Sequence, residues 1–591
     1  VATNAALEGK GVRTVFITNH GLKDMLTIGR QARRELYNLQ PPQVEPPVPA
    51  PLCLETGGRI SATGQIIEPL SRDQLDTLAQ QLRALAPEAV AINLLFSFLN
   101  DAPERAIEAI IDDDIFVSRS SAILPEYKEY ERGIATWLNA WVGPLVEHYL
   151  QRLQHQLSDA SIAVMQSSGG TIAADKAGRE AVRMLLSGPA GGLAGAKEIG
   201  QRAGREQLLT FDMGGTSTDV ALIDGDLKLT NEGHIGPYPV AVPMVDMHTI
   251  GAGGGSIAYL DHGGMLQVGP ESAGAAPGPA CYGKGGTRAT VTDANLVLGR
   301  LRSDAFLGGA MALDTSAARQ AIAPLAAALE LSIEATAEGI IRIANEHMAQ
   351  ALRVISVQRG EDPKAYTLMP FGGAGGLHVC ALATALGMET ILVPVNGGVL
   401  SAFGMLVGRR SREFSRTVAK QIEQVSAEQL DTQFSALEAQ AFEALQDEGV
   451  CRQQSSSQRS LDLRYSGQAY SLNIPWQGIE ASTARFHQQH QQRYGHRLQR
   501  PLEIVNVRVH VKGPKPAIEL PRNRQSQNAA PRAVALYGID QPATLYQRDA
   551  LSTGERIRGP ALIAEQVATT FIESGWEGEI DQYGNIALQR G

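Results

Sequence analysis

The chain is 591 residues long, 43% hydrophobic and 19% charged, a globular balance that excludes wholesale disorder and, at roughly 100–200 residues per domain, leaves room for about three to five domains. With 52 Lys and Arg against 62 Asp and Glu the formal charge is −10 and no basic run offsets it, which argues against nucleic acid or an anionic membrane as partner. Four scattered cysteines (Cys53, Cys281, Cys380, Cys451) exclude a disulfide framework and a Cys-based zinc site.

Val1–Glu8 and the apolar run Thr14–Thr18 read as parts of a fold already under way, so further residues are expected upstream. No signal-peptide pattern opens the chain, and a cytoplasmic setting is expected. Pro41–Pro51 is an extended proline-rich connector. Ser71-Arg-Asp-Gln74 has the capping-box pattern, and Leu75, Leu78, Leu82 and Leu85 form one helical stripe that Pro87 ends. Ala89–Phe98 reads as a buried strand; its Asn93 and Ser97 and its length exclude a membrane span. Helix Glu129–Leu157, strands Ile162–Gln166 and Gln207–Phe211, helix Ala335–Val357 and strand Tyr366–Met369 continue the alternation, the signature of an α/β fold with a mostly parallel sheet. The Glu129-Tyr-Glu-Arg132 start of the long helix reads most simply as solvated charges, and Ser187–Gly192 as a tight turn that joins two lobes. Beyond about residue 410 the pattern changes. A second capping box, Ser426-Ala-Glu-Gln429, opens a helix with Leu430, Phe434, Leu437, Ala441 and Leu445 on its buried face and Gly449 as its stop. Ser460–Tyr465, Tyr470–Ile474 and Ile504–Val511 alternate as strands, and Pro521–Arg532 is a polar connector. Three regions are therefore expected: 1–190, 191–409 and an α+β domain over 410–591.

Glycine is in excess, and its clusters carry the chemistry. An apolar strand runs into Asp212, then Gly214-Gly215-Thr216-Ser217-Thr218, then Asp219 and a second apolar strand. Glycine lets backbone N–H groups converge on an anion, and the three hydroxyls add donors. Two carboxylates beside a phosphate make sense only with Mg²⁺ between them, which makes Asp212 and Asp219 candidate metal and phosphate residues; a plain Gly-rich hairpin is the structural alternative. Phe371-Gly372-Gly373-Ala374-Gly375-Gly376 follows a strand and precedes the helix-like Val379–Leu386, the layout of a nucleotide or anion site, or of close helix–sheet packing. Asp246 and His248 alternate along a strand beside Gly251–Ser256 and so share one face. Such a pair holds a divalent metal, moves a proton, or makes a structural hydrogen bond.

These residues, with longer stretches, resemble the hydantoinase A subunits of the hydantoinase/5-oxoprolinase family, within the actin-like ATPase superfamily. The similar stretches are Val1-Ala-Thr-Asn-Ala, Leu95-Phe-Ser-Phe-Leu99, Leu124-Pro-Glu-Tyr, Glu129-Tyr-Glu-Arg, Ser187–Gly192, Asp212–Asp219, Val245–Ser256, Ser272–Gly283, Thr292–Asn295, Phe371–Gly375, Ser401–Met405 and Arg464–Gln468. The resemblance implies a two-lobed actin-like (ribonuclease H-like) ATPase fold with an α+β C-terminal domain. It implies ATP-dependent ring opening of a cyclic amide (a hydantoin, N-methylhydantoin or 5-oxoproline), by phosphoryl transfer to the amide oxygen and with a B-type partner subunit. ATP and Mg²⁺ are the implied cofactors, with room for a second divalent metal. Gly214, Gly215, Thr216, Ser217, Thr218, Asp219, Gly372, Gly373 and Gly375 would hold the nucleotide; Asp212, Asp246 and His248 are the expected catalytic and metal residues. A ketone carboxylase subunit and a non-catalytic ATP-binding protein are the alternatives. Gly376 stands where the family has Pro, and the family's first Asp-x-Gly-Gly-Thr-Phe-Thr-Asp loop is absent ahead of Val1. Weak ATP turnover and a tendency to aggregate are therefore expected of these residues alone.

Overall fold

The computed structural model describes residues 1–591 apart from 33–36, 41–44, 305 and 523–529, so parts of both expected connectors lie outside the described residues. The chain is an α/β protein in two compact units. One comprises Val1–Ser187, Leu229–Val245 and Gly408–Lys515; the other comprises Gly188–Lys228, Asp246–Val407 and Pro516–Gly591.

The first unit holds a parallel sheet whose strands run in the order Cys53–Thr56, Thr14–Asn19, Ala89–Asn93, Phe116–Arg119. Alternation splits its side chains between two cores. Phe16, Ala89 and Ala91 join Ile134, Ala135 and Leu138 of the helix Glu129–Gln156; Val15, Ile17, Val90 and Ile92 join Leu78 and Leu82 of the helix Arg72–Leu85. The Ser71–Gln74 capping box forms as expected. Two local expectations fail. The Ala89 strand stops at Asn93, because the chain turns through a left-handed Phe96 (φ 57). Arg132 is not solvated: its side chain is fully buried and donates to Glu129 Oε2 (2.8 Å) and to the hydroxyls of Ser97 and Ser120. A charge at the start of a helix is solvated only where no other element covers that turn, and here the loop after Asn93 does so.

The same unit contains an antiparallel sheet in the order Ser411–Gln421, Leu502–Lys512, Ser456–Tyr465, Leu472–Pro475. It is covered by Ala427–Gln446, whose buried face is the expected Leu430, Phe434, Leu437, Ala441 and Leu445.

The second unit is built on a nine-stranded mixed sheet. Gln207–Met213 lies between its antiparallel partner Thr218–Asp224 and its parallel partner Thr367–Phe371. Met247–Ile250 pairs with the far side of Thr218–Asp224. Leu209, Phe211, Met213 and Val220 share a core with Ile340, Ile341, Ala344 and Met348 of the helix Ile333–Ile355. Ser187–Gly192 is not a tight turn but the first turns of the helix Ser187–Arg202. Its small residues let chains approach closely: a Cβ on Gly200 would lie 2.6 Å from Leu208 Cδ1, and one on Gly195 would lie 2.7 Å from the Leu400 carbonyl.

The α+β domain expected over 410–591 is divided. Residues to Lys515 belong to the first unit, and from Pro516 to the second. There Ile586–Arg590 pairs antiparallel with Thr390–Val393, with Leu588 opposite Ile391. An apolar strand edge has to be covered, and the C-terminal strands cover this one. No helix among the described residues is long and apolar enough to cross a membrane.

Candidate active site

The hairpin Gln207–Met213/Thr218–Asp224 sets Asp212 directly opposite Asp219 and Met213 opposite Thr218. The apolar residues of odd register face the core, so the two acids lie together on the other face. The intervening turn is closed by the Gly214 N–H donating to the Ser217 carbonyl at 3.1 Å. Gly214, Gly215 and Thr216 are exposed, and among the described residues no protein acceptor takes the N–H groups of Gly215, Thr216 or Ser217. Three successive donors on one tight turn are suited to an anion. Burial, and then the neighbouring Asp219 charge, push the Asp212 carboxyl up to about 7. Burial also raises Asp219, opposed by the Thr249 hydroxyl, which donates to Asp219 Oδ1 at 2.6 Å. Two half-buried carboxyls facing each other repel, and a divalent cation between them relieves both repulsion and desolvation. The donor set fits Mg²⁺.

The other two glycine clusters close on this turn. The Gly254 N–H donates to Gly214 O at 3.0 Å, and the Gly255 N–H to Gly215 O at 2.6 Å. A Cβ on Gly253 would lie 2.8 Å from the Gly215 and Thr216 carbonyl carbons, so backbone lies directly on backbone. Thr218 donates its hydroxyl to Ala252 O, and Thr292 donates both its N–H and its hydroxyl to Gly254 O, each at 2.7 Å. From the other side Phe371 pairs with Asp212. Gly372 then turns at φ +76, where a Cβ would strike Asp212 Oδ1 and lie 2.5 Å from Met213 O. The Ala374 N–H donates to Met213 O at 3.2 Å. A Cβ on Gly373 would lie 3.3 Å from Val567 O, and one on Gly375 would meet the Phe211 ring at 3.4 Å, so Gly375 serves packing against the core. The helix after this loop is Val379–Leu386, as expected.

Asp246 and His248 do not join this group. The Asp246 carboxylate is ion-paired with Arg359, and its N–H donates to Lys228 O at 2.8 Å. His248 lies opposite Val220, in the row of Phe211, and so on the face away from Asp212 and Asp219. The residue on the acids' face is the next one, Thr249. Sequence reading missed Thr249: the two-residue period shows that 246 and 248 share a face, but only the register with Asp219 shows which face it is. Among the described residues no group of three or more His, Cys, Asp and Glu side chains gathers as a metal cage, so Asp212, Asp246 and His248 are not one ligand set.

Family comparison covers nearly the whole chain. The hydantoinase/oxoprolinase N-terminal region matches residues 1–115, the hydantoinase/oxoprolinase model matches 132–413, and the C-terminal domain matches 417–590. The chain belongs to the hydantoinase/oxoprolinase family. Within the family it is similar to the caprolactamase subunit alpha of Pseudomonas jessenii, at 32% identity over 100% of this chain and 89% of that one. The crystal structure of the ATP-dependent caprolactamase from that organism superposes with a TM-score of 0.88, covering 100% of this chain and 90% of the other. 5-Oxoprolinase 1 of Arabidopsis thaliana is 32% identical over the whole chain, which spans 50% of its length. The nucleotide-free structure of an acetone carboxylase superposes with a TM-score of 0.74 at 26% identity, over 100% of this chain and 90% of that one.

Proposed function

We propose that this hydantoinase/oxoprolinase chain is the ATP-using subunit of a cyclic-amide hydrolase and works with a B-type partner. The observation that carries the reading is the convergence of three glycine segments on the Asp212–Asp219 pair, a surface of backbone donors and carboxylates suited to a polyphosphate and its cation. The similarity to a caprolactamase and a 5-oxoprolinase supports a lactam or related ring as the other substrate.

An amide carbonyl is a poor electrophile because nitrogen donates into it. Transfer of the terminal phosphoryl of ATP to the amide oxygen releases ADP and gives that oxygen a leaving group. Water then adds to the carbon, the ring C–N bond of that adduct breaks to leave an acyl phosphate and a free amine, and a second water releases phosphate and the ring-opened amino acid. The chain's part is positioning and charge neutralisation. The Gly215, Thr216 and Ser217 N–H groups hold phosphate oxygens, with the Thr216 and Ser217 hydroxyls beside them. The Gly372–Gly375 turn flanks the nucleotide. Asp212 and Asp219 would hold Mg²⁺, which would supply neutralisation of the phosphate charge. Thr249 aims the Asp219 carboxylate and opposes the rise that burial causes. His248 lies on the other face of the hairpin, and Asp246 is held by Arg359.

The test is ADP release over a panel of caprolactam, 2-pyrrolidinone, 5-oxoproline and hydantoin, with and without the partner subunit. Stimulation by at least one ring is expected, with ring-opened product in step with ADP. Basal hydrolysis that no ring changes overturns the reading. Stimulation by acetone with bicarbonate instead favours the second reading, a ketone carboxylase, which the acetone carboxylase likeness supports.

A further inference from the structure

The first unit carries a second polar constellation, which the Asp212 site does not use. Its parallel strands follow the spatial order second, first, third, fourth, so the chain leaves Thr14–Asn19 and Ala89–Asn93 in opposite directions. The carboxyl ends of two such strands form a crevice, the usual ligand position in open α/β sheets. At these ends stand Thr18, one residue before the strand's last, and Asn93, register partners 0% and 1% exposed. Both lie in the row that continues Phe16 and Ala91, on the face covered by the helix Glu129–Gln156. Thr18 Oγ1 and Asn93 Oδ1 have no hydrogen-bond partner among the described residues. Orphaned buried polar atoms are rare, because each costs its full desolvation. Two of them side by side at a crevice mark a place where a ligand completes the bonding.

The surroundings are organised around that place. Asn93 Nδ2 donates to Glu129 O at 3.3 Å, which leaves Oδ1 as the free end of the amide. Phe96 (φ 57) and Lys128 (φ 75) hold left-handed backbone on either side, a strain concentrated at functional sites. The short helix Met25–Ile28 caps the crevice: a Cβ on Gly133 would lie 2.9 Å from Met25 Cε and Leu26 Cδ2, and 3.0 Å from Asn93 Nδ2. The cap hangs between Gly21 (φ +82) and Gly29 (φ +56), and Arg30 latches it through a two-bond pair with Glu131, at 2.8 and 2.6 Å.

We propose that this crevice recognises the cis-amide edge of a lactam, the ring N–H donating to Asn93 Oδ1 and the Thr18 hydroxyl donating to the ring oxygen, with the Met25–Ile28 helix closing over it. The proposal rests on the cyclic-amide reading above. A ring forces an amide's N–H and C=O onto one edge. As register partners on adjacent strands, Thr18 and Asn93 set a hydroxyl donor beside an amide acceptor. An open-chain trans amide presents the two groups on opposite sides and cannot use both residues.

The test is calorimetric titration of the nucleotide-free protein with the same four rings, and with the N-methyl analogue of whichever lactam binds. We expect the N-methyl analogue to bind at least tenfold more weakly, having no N–H for Asn93. Thr18→Val should lose about tenfold in lactam affinity while unfolding no earlier than wild type, since it removes an orphaned hydroxyl; Thr18→Ser should keep the affinity. Equal binding of the N-methyl and parent rings, or unchanged affinity in Thr18→Val, overturns the site, as does the absence of binding by every ring. If Thr18→Val does not fold, Thr18→Ser and the N-methyl pair decide. Lactam-stimulated ADP release at unchanged KM in Thr18→Val sinks this inference and leaves the hydrolase reading standing. Thr18-dependent lactam binding without any ring-stimulated ADP release sinks the hydrolase reading instead.

Discussion

The Asp212 corner of the second unit and the Thr18–Asn93 corner of the first both sit where strands end, yet they are made of different material. At Asp212 the surface is main chain: turns 214–217, 251–256 and 372–376 pack so closely that a Cβ on Gly253 or Gly372 would collide with a neighbouring backbone. At Thr18 and Asn93 the surface is side chains, neutral, buried and set by sheet register. The difference follows from what each holds. A polyphosphate is met by many N–H groups that glycine alone exposes. A small neutral ring offers one donor and one acceptor, and two ordinary side chains suffice for it.

The largest expected effect concerns the first corner's foundation. Arg132 is fully buried against Glu129, Ser97 and Ser120, so Arg132→Met leaves the partly buried Glu129 carboxylate without its partner. Urea unfolding should show a loss of roughly 3–5 kcal/mol; a loss under about 1 kcal/mol would mean that Glu129 is neutral or solvated there. At the second corner, Asp212→Ala should lower Mg²⁺-ATP turnover by about 10²–10³, or roughly 2.7–4 kcal/mol, with unfolding unchanged; wild-type turnover would remove Asp212 from the phosphate site.

A smaller effect separates shape from flexibility within the glycine turns. Gly253→Ala places a Cβ 2.8 Å from the Gly215 and Thr216 carbonyl carbons, whereas a Cβ on Gly215 meets nothing within 4 Å. Gly253→Ala should cost about tenfold in ATP affinity, while Gly215→Ala should unfold within about 0.5 kcal/mol of wild type. Equal losses would mean that flexibility, not close approach, is what the clusters supply.

The remaining prediction is a pH dependence. The Asp212 carboxyl is raised from 3.8 to about 7, so between those values the folded protein keeps a proton that the unfolded chain has released. Without divalent cation, stability should therefore fall as pH rises through that window, by up to about 4 kcal/mol, and Asp212→Asn should flatten the slope. Thermal unfolding in chelator across the window checks it; parallel curves for the two proteins would show that Asp212 ionises freely.

How much of this was legible in the sequence depended on the range of the interaction. The Ser71–Gln74 and Ser426–Gln429 capping boxes, the Leu430–Leu445 face and the helix Val379–Leu386 all formed where local spacing placed them. The Asp212 turn and its glycines were visible too, because a backbone-lined turn admits few residue types. Apart from the helix that begins at Ser187 and the early end of the Ala89 strand, the departures lay one step beyond local geometry. His248 is grouped with Asp212 among the expected catalytic and metal residues, and Thr249 is passed over, because facing depends on a register that no single strand records. Arg132 was read as solvated because the loop that buries it comes some thirty residues earlier. The partners of the strands after 410 were not legible, because an alternating strand does not say which sheet edge it joins; Ile586–Arg590 joins Thr390–Val393.

By itself, then, the sequence determined the helices, the strands, the glycine-lined turn with its two acids, and the family. Those depend on residues within a few positions of one another, where propensity and period suffice. Only the tertiary structure decided that three glycine segments meet at one hairpin, that Asp246 is taken by Arg359, and that Thr18 and Asn93 stand together unpartnered under a latched cap. Those are pairings between distant segments, selected by the burial of whole faces and edges, and the identity of a threonine or an asparagine carries no mark of which neighbour it will be given.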